Sequence, residues 1–198
     1  MTKKIQLIAE GDGDVLALPE IVRRILHANE IYDVQIAKPT HKRGDILKVK
    51  SRFTDYLSAA AIENYPVLCV LDYDCKHCND VIAEESNFAT LASNVRPDHP
   101  FRACFIVKEY ESLFLWDAQA AKSVLPQIRF DYVFPADPEQ IRDAKGELSA
   151  AQASGWAYKP TVHQAALSKK IDLDILRTKS PSFVRLEKAV LDLAAQCK

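Results

Sequence analysis

Three groups of carboxylates stand out by type and spacing. Glu10, Asp12 and Asp14 lie in LIAEGDGDVLALPEI, Asp72 and Asp74 in VLDYD, and Glu109 and Glu111 in VKEYES. Each group follows a short apolar run. Carboxylates brought together repel one another, and their pKa values rise unless a cation is present. A hard divalent cation such as Mg²⁺ or Mn²⁺ takes oxygen ligands, commonly one or two carboxylates completed by water and substrate phosphates. The alternate spacing of Asp72 and Asp74 lets both lean toward one ion where a strand ends and the chain turns. Gly11 and Gly13 allow a tight turn and a close backbone approach. Amides at a following helix start favour phosphate. A single acidic loop is more often a solvated turn or a helix cap, and Asp12 and Asp14 fit that reading as well. Three such groups at three strand ends are less easily explained that way and suit a divalent cation beside a phosphate group.

The elements that must position these residues are legible in the apolar pattern. KIQLIA (4–9), YDVQIA (32–37), PVLCVLDY (66–73) and FRACFIV (101–107) read as strands, short and almost continuously apolar, as buried parallel strands are. Helical patterns lie between them. The first runs from Leu18 to Ala28, with Pro19 in its first turn. The second places Ile46, Val49, Phe53, Leu57 and Ala60 at spacings of three and four. A third spans Val81 to Val95 and a fourth Ser112 to Val124. Alternating strands and helices predict an α/β fold, a parallel sheet of about four strands flanked by helices. Ligands of such sheets bind beyond the carboxyl ends of the strands, near the point where strand order reverses. All three carboxylate groups are therefore expected at one end of the sheet.

After residue 124 the pattern becomes helical. Helices are expected over Pro138–Leu148, Val162–Lys170 and Phe183–Gln196, with a loop at 153–161. Asp137-Pro138 and Ser180-Pro181-Ser182 look like helix starts. The expected organisation is an α/β domain over residues 1–124 and a helical C-terminal extension, 125–198, packed on it.

The 198 residues include 26 Lys and Arg against 27 Asp and Glu, a net charge of −1. No global positive field draws in nucleic acid, so such binding must use a local basic patch. No apolar run is long enough to span a membrane. MTKKIQLIAEG holds no signal-peptide core before Glu10 interrupts it. Five cysteines, an odd number, fit reduced thiols in a cytoplasm.

The same residues carry a resemblance. LIAEGDGDVLALPEI resembles the Toprim signature, a glutamate–glycine pair after the first strand with an aspartate three residues past the glycine. LDYD resembles its later Asp-x-Asp. Toprim domains are the metal-dependent modules of type IA and II topoisomerases, bacterial primases, and overcoming-lysogenization-defect and related nucleases. KEYESLFLWDA, DPEQIRDAKGELS, YKPTVHQAAL and IDLDILRTKSPSF are similar, in order, to the bacterial Toprim-like family catalogued as domain of unknown function 4276. That covers nearly the whole chain. The resemblance implies that Glu10 is a general acid/base or metal ligand and that Asp72 and Asp74 are the metal-binding pair. Asp14 matches the signature aspartate. Glu111, with Glu109, falls where related nucleases use a further acid for a second metal. It also implies a partner ATPase of the AAA or ABC type and a role in phage defence.

KPTHKRGDILKVKSR (38–52) supplies a basic patch; Lys42, Arg43 and Lys48 are candidates for holding a nucleic-acid backbone without reading its sequence. Arg177 and Lys179, before SPSF, are further phosphate candidates. Lys159, in WAYKPT, is placed to neutralise charge that develops on a phosphate under attack. Surface exposure explains such basic residues equally simply. Cys75 and Cys78 form a lone C-x-x-C, two ligands short of a structural zinc site. A receiver-like phosphoacceptor would also cluster acids at strand ends and could use Lys108, but it is shorter and lacks the helical tail. No tyrosine-bearing strand-passage domain and no helicase or zinc domain accompanies these motifs, which leaves nuclease among the Toprim activities. The expectation is a Mg²⁺- or Mn²⁺-dependent phosphodiesterase built on Glu10, Asp72, Asp74 and Lys159, with Asp14, Glu109 and Glu111 as further metal ligands and DNA or RNA as substrate. The alternative is a catalytically silent Toprim-fold subunit that binds or regulates an ATPase.

Overall fold

The structure, a computed structural model, describes residues 3–74 and 80–197. The Cys75–Cys78 pair lies outside them. Among the described residues, five strands form one sheet: β1 (Lys3–Ala9), β2 (Val34–Ile36), β3 (His41–Lys42), β4 (Val67–Tyr73) and β5 (Phe101–Val107). Their order is β2-β1-β4-β5, with β3 pairing β1 beyond the end of β2. Every pairing is parallel. The four expected strands are present, and two-residue β3 is the addition. It is too short to leave a periodic signal.

Strand order reverses between β1 and β4, the two central strands. Their register pairs Ile8 with Cys69 and Ala9 with Val70. Glu10 therefore leaves β1 beside the level of Asp72 on β4, and Asp72 pairs Ile106 of β5. Alternate residues face opposite layers. Leu68, Val70, Cys104 and Ile106 join one apolar cluster with Leu18, Ile21, Leu176, Phe183 and Leu186. Ile8, Cys69, Leu71 and Phe105 join the other with Val49, Phe53, Leu57 and Phe88. Edge-to-face contacts of Phe53 with Phe88 and Phe101, and of Phe88 with Phe105, fill the second layer.

The first helix, α1 (Asp12–Ala28), begins six residues before Leu18 and carries Pro19 in its interior. An interior proline costs about 3 kcal/mol. Burial of Leu18, Ile21, Val22, Ile25 and Leu26 offsets this, at roughly 1.5–3 kcal/mol each. The start is set by Asp14, whose Oδ2 accepts the Gly11 N–H at 2.9 Å. Asp12 and Asp14 in the first turn also suit the helix dipole. The second expected helix is broken at Arg52 into α2 (Ile46–Ser51) and α3 (Phe53–Ala60), yet its apolar stripe stays buried across the break. On the same side lies α4 (Val81–Val95). The fourth breaks into α5 (Ser112–Leu115) and α6 (Ala118–Val124), because the Asp117 carboxylate accepts the Gln119 and Ala120 N–H groups and starts a new helix.

The tail differs from expectation in two ways. Residues Pro138–Gln140 form only a 3-10 turn, and α7 (Ala144–Ala150) starts anew where Asp143 accepts the Gly146 N–H. A further helix, α9 (Leu173–Lys179), capped by Asp172, stands between α8 (Pro160–Lys170) and α10 (Pro181–Ala194). Asp137 and Ser180 do cap the elements that follow them. α10 packs on the sheet beside α1, and α8 packs on α1, so one apolar cluster runs from the strands into the tail.

The α1–α8 contact is close at Gly13. A Cβ there would lie 1.8 Å from Gln164 Oε1 and 2.8 Å from the Pro160 Cβ. Gly13→Ala is therefore expected to destabilise the protein by about 1–3 kcal/mol, although alanine is the better helix former. Urea unfolding measures this, and an unchanged midpoint would show that α8 yields freely.

Candidate active site

Glu10 and Asp72 meet at the ends of β1 and β4. The Asp72 N–H donates to Glu10 Oε2 at 3.2 Å. Asp72 is oriented in turn by the next strand end, since the Tyr110 N–H donates to its Oδ1 at 2.8 Å. Lys108, with φ of 67°, turns the chain after β5 through the left-handed region. The turn leads into Glu109 and Glu111, and Glu111 is fully buried. The three carboxylate groups read from the sequence therefore do converge. Of these residues, Glu10, Asp72 and Asp74 open on a cleft of about 270 Å³, lined also by Asp45, Ile46 and Leu47.

The residue that the sequence reading missed is Lys145. Its ammonium lies 3.5 Å from Asp72 Oδ2, 3.3 Å from Glu109 Oε1 and 3.4 Å from Glu111 Oε2. Its backbone N–H also donates to Glu109 Oε2 at 3.0 Å. Three residues earlier, Arg142 Nε stands 3.8 Å from Asp74 Oδ1. The start of α7 thus sets a cation against each member of the Asp-x-Asp pair. No local signal marked Lys145: the helix expected over Pro138–Leu148 hid the start of α7 at Ala144, where the dipole disfavours a cation and a lysine needs carboxylates from elsewhere.

Asp14 stands behind this cluster. Its Oδ2 caps α1, and its Oδ1 accepts the Gln164 Nε2–H at 2.6 Å. Gln164 is almost completely buried, and its Oε1 has no hydrogen-bond partner. Glu111 Oε1 accepts the Tyr158 hydroxyl at 3.1 Å. Burial sets the proton affinities. It raises Asp72 well above the usual carboxylate range, with Glu10 and Asp14 adding to the rise and Lys145 opposing it. It raises Glu10 as well, against the hydrogen bond from Asp72 and with Asp14 reinforcing it. Burial pushes the Glu111 carboxyl up to about 7, with Lys145 pulling it back. Burial alone would lower Lys145, but Asp72, Glu111 and Glu109 outweigh it and raise the ammonium's pKa.

The other candidates divide by position. Arg43 and Gly44 N–H groups donate to the Ala9 and Glu10 carbonyls, which ties the basic loop to the acidic end of the sheet. Lys42 pairs Asp12 at 2.7 Å, Arg43 lies over the Tyr56 ring, and Lys48 is exposed on α2. Lys159 is exposed at the start of α8, beside Pro160, which abuts Gly13. The ammonium within reach of the carboxylates belongs to Lys145. Arg177 and Lys179 are not brought to the cleft. The Arg177 guanidinium is committed to Glu187 and Asp174, and Lys179 lines a separate pocket with Trp116 and Phe134. Cys69 and Cys104 are buried in opposite layers of the core, and burial pushes both thiols up.

The profile of the family described as "Domain of unknown function (DUF4276)" matches residues 9–191, from the end of β1 to the last turns of α10. The chain belongs to this family. The DUF4276 chain is also similar to the C-terminal region of the Xanthomonas campestris pv. campestris OLD protein, at 14% identity and a TM-score of 0.52, over 98% of this chain and 93% of that one. The corresponding region of the Burkholderia pseudomallei OLD protein matches at 13% identity and a TM-score of 0.51, over 99% and 98%. At these identities the likeness is one of fold, the Toprim-like parallel sheet with its C-terminal helices. No curated protein matches the DUF4276 chain. Among its described residues, no helix is long and apolar enough to cross a membrane.

A carboxyl group whose folded pKa is raised stabilises the fold fully below its unfolded value, and that contribution is lost as pH rises through the folded value. For Glu111 the window runs from 4.5 to about 7. The metal-free DUF4276 chain is expected to lose thermal stability across that window, and Glu111→Gln to flatten the slope. Melting curves in chelator test this; parallel slopes in variant and parent would contradict it.

Proposed function

We propose that the chain is a divalent-metal-dependent phosphodiesterase acting on nucleic acid, a Toprim-type nuclease. The observation that carries this reading is the joining of Glu10 and Asp72 across adjacent strand ends at the mouth of an open cleft. The donor set is all oxygen, which suits Mg²⁺ or Mn²⁺. Two carboxylates with raised pKa values are an unfavourable arrangement that a cation relieves. Among the described residues, no three Asp, Glu, His or Cys side chains stand at metal-holding spacing. Mg²⁺ needs no more than one or two carboxylates, the rest of its shell being water and phosphate. Glu10 and Asp72 would hold it, with Asp74 at the lip of the cleft.

When bound, the ion would activate water and polarise the scissile phosphate. Glu10 is placed to hold or pass a proton, because burial has already raised its affinity for one. Asp72 is held in position by the Tyr110 N–H. Lys145 contributes a fixed positive charge beside the carboxylates, the electrostatic role that the sequence reading gave to Lys159. The loop bearing Lys42, Arg43 and Lys48 would receive the phosphate backbone on the same end of the sheet. The ATPase partner and the phage-defence role implied by the family resemblance belong to this reading.

One observation favours a second reading. Lys145 and Arg142 already meet the charge of Asp72 and Asp74, as they would in a silent subunit of an ATPase assembly whose site no longer turns over. Incubation of the purified chain with single- and double-stranded DNA and RNA in Mg²⁺ or Mn²⁺ separates the two. Cleavage is expected, with Asp72→Asn slower by about 100-fold or more, as for loss of a group that acts in the transition state. Equal cleavage by both forms, or none with any substrate alone or with the ATPase present, would remove the nuclease reading.

A further inference from the structure

The charge of the carboxylate cluster is met in two different ways. On one side, the Lys145 ammonium lies within 3.5 Å of oxygens from Asp72, Glu109 and Glu111. On the other side, Glu10 forms no ion pair among the described residues and faces the open cleft. Glu111 is fully buried; its Oε2 has no hydrogen-bond donor, only the ammonium at 3.4 Å, and its Oε1 takes the Tyr158 hydroxyl.

We propose that the site takes one divalent ion, on the Glu10–Asp72 side, and that the Lys145 ammonium, in place of a second ion, balances Asp72, Glu109 and Glu111. This rests on the metal-dependent reading above. Three features support it. The ammonium fills the space between Asp72, Glu109 and Glu111, and among the described residues these three do not stand at the spacing an ion needs. The lysine is built in, because its backbone N–H is held by Glu109 and the helix behind it is capped by Asp143. Glu111 has no exposed surface through which a hydrated ion could reach it, and Mg²⁺ dehydrates reluctantly. An ammonium and a divalent ion together supply three positive charges to the four carboxylates Glu10, Asp72, Glu109 and Glu111. A second divalent ion beside a retained lysine would place like charges in contact.

The test is Mn²⁺ binding to the full chain near pH 7.5, followed by calorimetry and by the spin signal of free Mn²⁺, so that no activity is needed. Wild type is expected to bind one ion. Glu10→Gln should lose affinity by at least about tenfold, the least that loss of a group supporting a bound metal typically costs. Glu111→Gln should still bind one ion at the wild-type affinity. Lys145→Arg should also bind one. Two ions per wild-type chain, or a tenfold loss on Glu111→Gln, would overturn the one-ion assignment and leave the metal site standing. No Mn²⁺ bound by wild type at millimolar concentration would overturn the metal-dependent reading itself, and this inference with it.

Discussion

The meeting of one ammonium with three carboxylates, Glu111 fully buried and Asp72 and Glu109 partly so, is the contact on which the site depends. A parallel sheet brings its strand ends to one edge, and here each of three ends carries acids. Asp72, Glu109 and Glu111 would be poorly tolerated in so little water without a counter-charge. Lys145 supplies it at 3.3–3.5 Å to all three. Removing one partner from such a group leaves the others buried and uncompensated, which costs more than the pairing contributes when intact. The lysine comes from the tail, so the strand ends alone do not make a balanced site.

That dependence explains the packing of the tail on the sheet. α8 crosses α1 closely enough that Gly13 has no room for a side chain, and this places Gln164 on Asp14. Tyr158, just before α8, reaches Glu111. Asp117 caps α6 and also accepts the Asp172 N–H at the junction of α8 and α9. Apart from the α6 cap, each contact joins residues more than forty positions apart. The acidic edge, the helix that starts behind it and the tail that neutralises it form one structure with a shared apolar core.

The sheet was legible because buried parallel strands write themselves as continuous apolar runs, and all four long runs are strands. Convergence of Glu10 with Asp72 followed from the rule that such sheets bind ligands at their carboxyl ends. Helix boundaries were less legible. Pro19 suggested a start that the burial of α1 overrides, and Arg52 and Asp117 break helices whose periodicity continues on either side. The tail reading missed α9 because seven residues hold too few turns for a period to show. Arg177 looked like a phosphate ligand only because Glu187, ten residues further on in the next helix, could not be seen as its partner.

By itself, then, the sequence determined the α/β class, the four longer strands, and the edge at which the carboxylates collect. These follow from local periodicity and from the handedness of parallel crossovers, which act over a few residues or apply to every such sheet. Only the tertiary structure decided which cation meets those carboxylates and how deeply each is buried. Lys145 and Glu111 are 34 positions apart, and nothing in either neighbourhood encodes the other. Their distance is set by how the start of α7 comes to rest against the strand ends, and by the exclusion of water that raises Glu111 toward neutrality. Burial and long-range charge pairing belong to the packed chain, because both depend on what the rest of the molecule displaces.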